Sequence, residues 1–291
     1  MKRVLFFLLL TFTLSSCDDF FDQVVDVDVP ALPTRTVANG QMILDSANST
    51  QSSIYIEVSK SLDPLSNAYP LTQKGASVQL FENGAFVEKL QLGWNYPDQS
   101  GDTLFFYSSS NFKPVPARTY RIEIDQPGLP LAYSEFTMPS RPTFFDARWI
   151  DRTEGKVEVS LRTDLSDAYF LLEVVNQNGF TVYYSTLDPS LEMLGTYEDI
   201  EGQSSGRAAV INNRLFGGST AKFTIDLDSW NSPVTVRMAS ITRDTYIYLK
   251  SEDALDSSGD SPFAQPINLH VNVVNGLGFI GGLNFDQVDL P

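Results

Sequence analysis

Cysteine and histidine each occur only once in the 291 residues of this chain. A single cysteine excludes an intrachain disulfide framework, and the common zinc sites need several Cys or His ligands. The one histidine, His270, shares the polar side of an alternating segment with Asn268 and Asn272. We therefore interpret His270 as a solvent-facing strand residue, with a catalytic base or a metal ligand as the alternative.

Basic residues are few as well: there are 20 Lys and Arg against 36 Asp and Glu, a formal charge of −16. Nucleic-acid binding needs clustered Lys and Arg to neutralise phosphates, so this composition argues against a nucleic-acid partner. It also disfavours direct contact with an anionic membrane surface. The acidity is more simply explained as a solubility feature.

Hydrophobic runs are short. The apolar segment 4–14 has about half of the roughly 20 residues that a membrane-spanning helix needs. It follows two basic residues and ends in Leu14-Ser15-Ser16-Cys17, the type of sequence at which bacterial lipoprotein signals are cleaved. We predict that residues 1–16 are a signal peptide and that Cys17 is the lipidation site.

Lipidation determines where the protein is located. The mature chain would begin at Cys17, residues 17–23 would form a tether, and acyl chains would hold the protein in a membrane. Modification also consumes the thiol, so no cysteine nucleophile remains. Asp18 and Asp19 resemble the surface-export signal of Bacteroidota lipoproteins, which predicts the outer face of the outer membrane. In an enterobacterium, an aspartate after the lipidated cysteine would instead indicate retention in the inner membrane.

Short segments of alternating apolar and polar residues recur along the mature chain, which is typical of β-strands. Asn83-Gly84 lies between two of them and predicts a type I′ hairpin. Closely spaced strands of this kind predict a mainly β fold of sandwich type, immunoglobulin-like or transthyretin-like. The predicted strands of the first half are 25–29, 54–58, 78–81, 86–90, 104–107, 120–124 and 134–137.

Residues 139–142, Pro-Ser-Arg-Pro, interrupt the pattern near its middle, because proline does not continue a central strand. At about 150 residues per domain, the length also predicts two domains. We therefore predict an N-terminal β-sandwich domain at 24–138 and a C-terminal β-rich domain at 143–291. The predicted strands of the second half are 156–161, 169–175, 181–184, 222–227, 234–238 and 267–274.

One short helix is predicted at residues 242–255, which contain neither glycine nor proline. Thr242 or Ser240 is expected to cap its N-terminus. The residues expected on its packing face are Ile247, Tyr248, Ala254 and Leu255.

Two loops contain candidate binding residues. Trp94 and Tyr96 lie beside turn residues, where aromatic side chains are suited to stack on a sugar or contact a protein partner. Packing is the alternative for both, and Trp149 and Trp230, which are nearer predicted strands, are expected in the core. Asp98 and Asp102 offer oxygen ligands to a structural calcium ion, although a turn is the simpler explanation. The same two alternatives apply to residues 253–260, and the sequence indicates no other cofactor or metal.

Glycines at 276, 278 and 281 have the spacing of a dinucleotide-binding fingerprint and follow a predicted strand. That fingerprint also requires a helix that begins at the glycines, which is not predicted here. We expect bent backbone or close packing at a sheet edge instead.

Three blocks in the second half carry a family resemblance. They are residues 240–251, 262–266 and 275–282, and residues 215–218 add weaker support. Through these blocks the chain resembles the Bacteroidota lipoproteins of domain of unknown function 4249. The resemblance supplies no catalytic residue. Genes of this family often lie beside TonB-dependent outer-membrane receptors, which implies an accessory surface lipoprotein.

Three functional hypotheses follow. The first is a non-enzymatic lipoprotein that binds the outer-membrane bilayer through its anchor and serves a TonB-dependent transporter or another barrel protein. The second is a free-standing glycan-binding or adhesive surface module that uses Trp94 or Tyr96. The third is a hydrolase with paired carboxylates, which the scarcity of histidine makes the least favoured.

Overall fold

The structure is a computed structural model, and it describes residues 32–45, 52–63, 72–93, 105–109, 111–164, 168–198, 204–215, 220–230, 232–258 and 267–291. The chain divides into two units, Met1–Pro33 and Thr34–Pro291, and every described strand and helix lies in the second. The strand predicted at 25–29 lies outside the described residues. Among the described residues, no helix is long and apolar enough to cross a membrane.

The first part of the chain forms eight described strands, in agreement with most of the predicted alternating segments. These are β1 (Thr36–Asp45), β2 (Ser53–Lys60), β3 (Ser77–Glu82), β4 (Ala85–Lys89), β5 (Gln91–Leu92), β6 (Tyr107–Ser109), β7 (Thr119–Asp125) and β8 (Ala132–Thr137). Asn83 and Gly84 have φ angles of 48° and 80°. Both turn positions are thus left-handed, which confirms the predicted hairpin between β3 and β4.

The second part contains the remaining elements. The strands are β9 (Phe144–Asp151), β10 (Lys156–Arg162), β11 (Tyr169–Asn176), β12 (Tyr184–Ser185), β13 (Leu191–Leu194), β14 (Tyr197–Glu198), β15 (Ser204–Ser205), β16 (Ala208–Asn212), β17 (Ala221–Leu227), β18 (Val234–Ile241), β19 (Gly276–Leu277) and β20 (Ile280–Leu290). A 3-10 turn spans Asn213–Leu215, and helix α1 spans Arg243–Ser258.

A ten-stranded sheet is the largest sheet of the described structure. Its order is β13-β16-β11-β18-β20-β1-β2-β6-β5, and β19 pairs with β1 beside this path. Two four-stranded sheets, β4-β3-β7-β8 and β12-β17-β10-β9, and the ribbon β14-β15 complete the described structure. The predicted mainly β fold with one helix is therefore confirmed for the described residues.

Each four-stranded sheet packs against one half of the ten-stranded sheet. Alternate residues of a strand point to the same face, so the apolar residues of each sheet form one face that is buried against the other sheet. The N-terminal core joins Ile54 and Ile56 of β2 to Val78 and Ile122 of the smaller sheet. Each such side chain, when fully buried, contributes about 1.5–3 kcal/mol.

The C-terminal core is built in the same way, from Val157 of β10 against Leu172 of β11 and Val236 of β18. Trp149 and Trp230 are partly buried and pack against this core. They therefore lie at the margin of the core, which confirms their predicted core positions only in part.

Strand β20 belongs to both halves. It pairs antiparallel with β18 and parallel with β1, so the ten-stranded sheet continues across the division predicted at 139–142. Ile280 at its start is in the N-terminal core, whereas Leu290 at its end is in the C-terminal core. The two cores therefore share a strand as well as a chain connection.

The prediction of a strand at 267–274 is wrong. Residues 267–273 run outside the sheets, and Val274 forms only an isolated bridge with Tyr133. The last strand is instead β20, which begins directly after the glycine-rich turn. The glycines are thus followed by a strand and not by the helix that a dinucleotide fingerprint requires.

Close packing explains the paired glycines, although at the centre of the sheet and not at the edge that the sequence suggested. A Cβ atom at Gly281 would lie 2.6 Å from Thr245 Oγ1, on the side of α1. A Cβ atom at Gly282 would lie 2.8 Å from Phe136 Cε2 on the opposite side. Any larger residue would push either the helix or β8 away from the sheet.

Helix α1 confirms the predicted helix, and Thr242 is its N-cap. The Thr242 Oγ1 atom accepts a hydrogen bond from the backbone N–H of Thr245 at 3.1 Å, which satisfies one of the open donors of the first turn. The predicted packing face is only partly correct. Leu255 is 42% exposed, whereas Thr245 is buried against the sheet.

Candidate binding site

Seven of the predicted site residues belong to the N-terminal segment or to residues 94–102. All of them lie outside the described residues: Cys17, Asp18, Asp19, Trp94, Tyr96, Asp98 and Asp102.

Helix α1 lies across one face of the ten-stranded sheet, and the space between them is the principal feature of this face. Tyr246 and Leu249 of the helix join a third apolar cluster with Leu171, Leu283 and Phe285 of the strands below. The i, i+3 spacing of Tyr246 and Leu249 places both on the underside of the helix.

Polar contacts fix the helix to the neighbouring strand β13 and the turn after it. The Tyr246 hydroxyl donates a hydrogen bond to Glu192 Oε1 at 2.5 Å, and Lys250 forms an ion pair with the same carboxylate. The Gly195 N–H donates to Asp253 Oδ1 at 2.6 Å. Partial burial raises the pKa of Glu192, but the hydrogen bonds from Lys250 and Tyr246 and the charge of Lys250 outweigh it and leave the pKa below its ordinary value.

A cavity of about 400 Å³ lies between this helix and the sheet. We call it the helix cavity. Its volume is within the range of small-molecule sites in proteins. Its apolar walls are Ile43, Leu171, Leu194, Ala208, Leu249, Leu283 and Phe285.

Three charged side chains line one end of the helix cavity: Glu173, Arg207 and Arg237. Glu173 and Arg237 are cross-strand partners of β11 and β18, which is why they face the same side of the sheet. Their charged atoms are nevertheless 4.0 Å apart, from Arg237 Nη1 to Glu173 Oε2. Burial raises the pKa of Glu173, and the charges of Arg237 and Arg207 offset this only in part.

Arg237 is held in place mainly by an aromatic ring. Its guanidinium carbon lies 4.2 Å from the centre of the Phe285 ring, a cation–π arrangement. Its Nε atom is buried and has no hydrogen-bond partner among the residues that the structure describes. This donor of the guanidinium group is therefore unsatisfied in the described structure.

A second, smaller cavity of about 200 Å³ shares Gln41 and Leu249 with the helix cavity. Aromatic rings form much of its wall: Tyr248 stacks on Phe279 with ring centres 4.3 Å apart, and Tyr55 donates a hydrogen bond to Gln41 Oε1 at 2.8 Å. The carboxylate of Glu57 also lines it, and burial raises the pKa of that carboxyl group. We call this the aromatic cavity.

His270 lines neither cavity. Its Nε2 atom is 3.4 Å from Asp244 Oδ1, and its ring is 6.4 Å from that of Phe279. Its side chain is 26% exposed and its residue is not in a strand, so the predicted solvent-facing strand position is wrong.

No group of three or more His, Cys, Asp or Glu side chains with metal-site geometry occurs in the described part of the chain. Within the calcium candidate at 253–260, residues 253–258 are the last turns of α1, and Asp253 is engaged by the Gly195 N–H. That part is therefore a helix and not a loop, and residues 259 and 260 lie outside the described residues.

Residues 202–206, Gly-Gln-Ser-Ser-Gly, match the Gly-x-Ser-x-Gly pattern of a serine nucleophile. A nucleophile elbow places its serine at a turn between a strand and a helix. Here Ser204 and Ser205 form the short strand β15, and the Ser205 hydroxyl donates to Asp228 Oδ1 at 2.9 Å. From Ser204 onward, where the chain is described, a second strand follows and not the helix of an elbow.

Sequence reasoning also missed Glu173 and Arg237. A signal was present, because each is the single charged residue in a strand that is otherwise largely apolar, Tyr169–Asn176 and Val234–Ile241. A charge in such a strand is costly unless it has a partner or a function. What the sequence does not give is the register that places the two side chains side by side.

Comparisons with known proteins bear on the family. A family described as domain of unknown function (DUF4249) matches residues 24–288. No curated protein sequence matches the chain. Among solved structures, a DUF4785 family protein from Legionella pneumophila aligns with 71% of this chain at 10% identity and a TM-score of 0.27, and the chain spans 52% of that protein's length. Likeness at that level carries no argument. The family match extends over most of the sequence, so this chain belongs to the family of domain of unknown function 4249.

Proposed function

We propose that this protein is a lipid-anchored lipoprotein on the outer face of the outer membrane, where it acts by binding as an accessory subunit of a TonB-dependent transporter or another barrel complex. The observation that carries the proposal is Leu14-Ser15-Ser16-Cys17 followed by Asp18 and Asp19. Membership of the family of domain of unknown function 4249 supports it, because genes of that family often lie beside those of TonB-dependent receptors. The helix cavity supports a binding role in addition.

The anchor supplies the physical mechanism. Acyl chains contribute about 0.8 kcal/mol for each CH₂ group buried in the bilayer, so two or three chains hold a protein stably in the membrane. Confinement to a surface raises the effective concentration of a partner in the same membrane. Contacts of modest affinity are then sufficient for a lasting complex.

We propose that the protein is not an enzyme. The position of His270 supports this, because it contacts Asp244 outside both cavities. The helix cavity is lined by two arginines and one glutamate, and this excess of positive charge is suited to binding a ligand.

We further propose that the two cores mark two sandwich domains, immunoglobulin-like or transthyretin-like, that correspond to the predicted 24–138 and 143–291. The separate N-terminal and C-terminal cores support this division. Because β20 is part of the sheet in both halves, we expect the two domains to unfold together.

The partner is tested by affinity isolation of the tagged full-length lipoprotein from gently solubilised outer membranes of its native host, followed by mass spectrometry. We expect a TonB-dependent barrel protein in stoichiometric amount. Repeated recovery of the lipoprotein without any barrel protein would contradict the proposal.

The anchor is tested separately with Cys17→Ala. This variant is expected to lose incorporation of labelled palmitate and to leave the membrane fraction. Asp18→Asn with Asp19→Asn serves as the matched change beside the anchor: lipidation is retained, while access of external proteinase K to the protein in intact cells is lost. Lipid labelling of Cys17→Ala at the original level would refute the assignment.

Glycan binding is the second candidate, and the aromatic cavity favours it. Tyr55, Tyr248 and Phe279 present ring surfaces beside the carboxylate of Glu57, a combination of stacking and hydrogen bonding that suits a sugar. Retardation in polysaccharide-containing native gels measures this activity. Tyr248→Ala or Trp94→Ala should abolish the retardation, and unchanged mobility of the original protein across a polysaccharide panel would exclude it.

A further inference from the structure

We propose that the helix cavity binds a small organic carboxylate with an apolar body, and that Arg237 is the partner of the carboxylate group. This proposal goes beyond the membrane partner discussed above and does not depend on it. It rests on the geometry of Arg237, on the charge balance of the cavity and on its apolar walls.

The geometry of Arg237 is the first argument. A guanidinium group offers a planar fork of donors that matches the two oxygens of a carboxylate. In Arg237 the buried Nε atom has no hydrogen-bond partner among the described residues, and Nη1 is 4.0 Å from Glu173 Oε2. That separation is too long for a hydrogen bond. The cross-strand glutamate therefore leaves the donor fork unfilled.

The guanidinium group of Arg237 is also held rigidly. Phe285 holds the guanidinium group by a cation–π contact at 4.2 Å, and Phe285 is itself 5% exposed in the third apolar cluster. A side chain whose position is fixed before binding loses little conformational entropy when a ligand arrives. Arg237 is thus a preorganised donor and not a flexible surface arginine.

The charge balance is the second argument. Arg207 and Arg237 bring two positive charges to the cavity lining, and Glu173 brings one negative charge. Arg207 is exposed, whereas Glu173 and Arg237 are partly buried, and partly buried charges without full compensation are costly. One added carboxylate would neutralise the set, whereas a cation would increase the imbalance.

The apolar walls also favour an organic ligand, since seven apolar residues line the helix cavity together with the three charged ones. A purely inorganic anion would leave these walls facing water. A ligand with an acyl chain or ring would bury them, at about 25 cal/mol for each Å² of apolar surface removed from water. The lining thus favours an amphipathic monocarboxylate.

The test uses octanoate and its uncharged counterpart octanamide as probes. Both are titrated by calorimetry and by NMR into the chain without residues 1–16 and with Cys17→Ser, which retains every described strand and helix. We expect saturable binding of octanoate with a Kd of about 1 mM or tighter. Octanamide should bind at least about tenfold more weakly, because it cannot form the charge-assisted bonds.

Three variants examine the roles of the side chains. Arg237→Met should weaken octanoate binding about tenfold or more, to the level of octanamide. Arg148→Met is the matched control, because Arg148 is an exposed strand arginine paired with Glu158 on another sheet, and binding should be unchanged. Glu173→Gln keeps the side-chain volume and removes the competing charge, so octanoate binding should tighten severalfold. Circular dichroism melting curves confirm that each variant is folded.

Several results would overturn the proposal. Absence of saturable octanoate binding, equal affinity for octanamide, or unchanged affinity in a folded Arg237→Met protein would each exclude Arg237 as a carboxylate partner. Weaker octanoate binding in Glu173→Gln would show that Glu173 holds part of the ligand, and the assigned class would be wrong. None of these outcomes changes the expected result of affinity isolation, so the two proposals fail separately.

Discussion

Replacement of Ile280 by alanine tests whether the last strand stabilises the N-terminal core. Ile280 is fully buried in that core although it lies at the start of β20, far along the chain from the core's other strands. The substitution removes three carbons at about 0.8 kcal/mol each, and the residual cavity adds to this loss. We expect the free energy of unfolding to fall by about 3 kcal/mol.

Urea unfolding followed by two probes measures the effect. Circular dichroism reports the strands of both halves, and tryptophan fluorescence includes Trp149 and Trp230, which pack against the C-terminal core. Because β20 pairs with both β1 and β18, both probes should shift to the same lower midpoint. Val87→Ala is the control: Val87 is 39% exposed on the edge strand β4, and its loss should cost less than about 0.5 kcal/mol.

Two results would refute this reasoning. A loss below about 1 kcal/mol in Ile280→Ala would mean that the strand is dispensable for the N-terminal core. A shift in circular dichroism without a shift in fluorescence would mean that the halves unfold independently in spite of the shared sheet.

Three other predictions concern local features. Gly278→Ala should lower stability by more than about 2 kcal/mol, because Gly278 has a φ of 99° that other residues rarely adopt; the shift of the thermal midpoint checks this. Tyr184→Phe should cost about 1–2 kcal/mol in urea unfolding, since the buried hydroxyl donates to the Leu172 carbonyl at 2.9 Å and its removal leaves that oxygen without this donor; an unchanged midpoint would contradict it. The pKa of Glu192 is below its ordinary value in the folded protein, so its bond to Lys250 stabilises the fold above the ordinary glutamate pKa and is lost as pH falls through the lowered one. Glu192→Gln should therefore reduce stability at pH 7 and reduce the loss of stability on acidification, and equal pH profiles for the two proteins would refute the assignment.

Local pattern was sufficient to predict much of the secondary structure. The hairpin at Asn83-Gly84 and the cap at Thr242 each depend on residues within a few positions of one another, so both can be predicted from the local sequence. The helix face was less predictable. A 3.6-residue period identifies several apolar stripes, and only the sheet below decides that Thr245 is buried and Leu255 is exposed.

Long-range pairing could not be predicted. Strand β20 contains Gly281 and Gly282, which weaken the alternation of apolar and polar residues that identifies a strand. It is nevertheless a strand, because β1 and β18 supply hydrogen-bond partners on both sides. The helix cavity depends on the same pairing, because the register of β11 and β18 brings Glu173 beside Arg237. Sequence periodicity specifies the face of a strand and not its neighbour.

The parallel pairing of β1 with β20 also has a consequence for biogenesis. The Phe279 N–H donates to Asn39 Oδ1 across 240 positions of sequence. Strand β1 can pair with β2 early, but it acquires β20 on its other side only when the last segment is available. Contacts of such high sequence separation slow folding. A nascent chain of this topology therefore completes its ten-stranded sheet only when synthesis is almost finished.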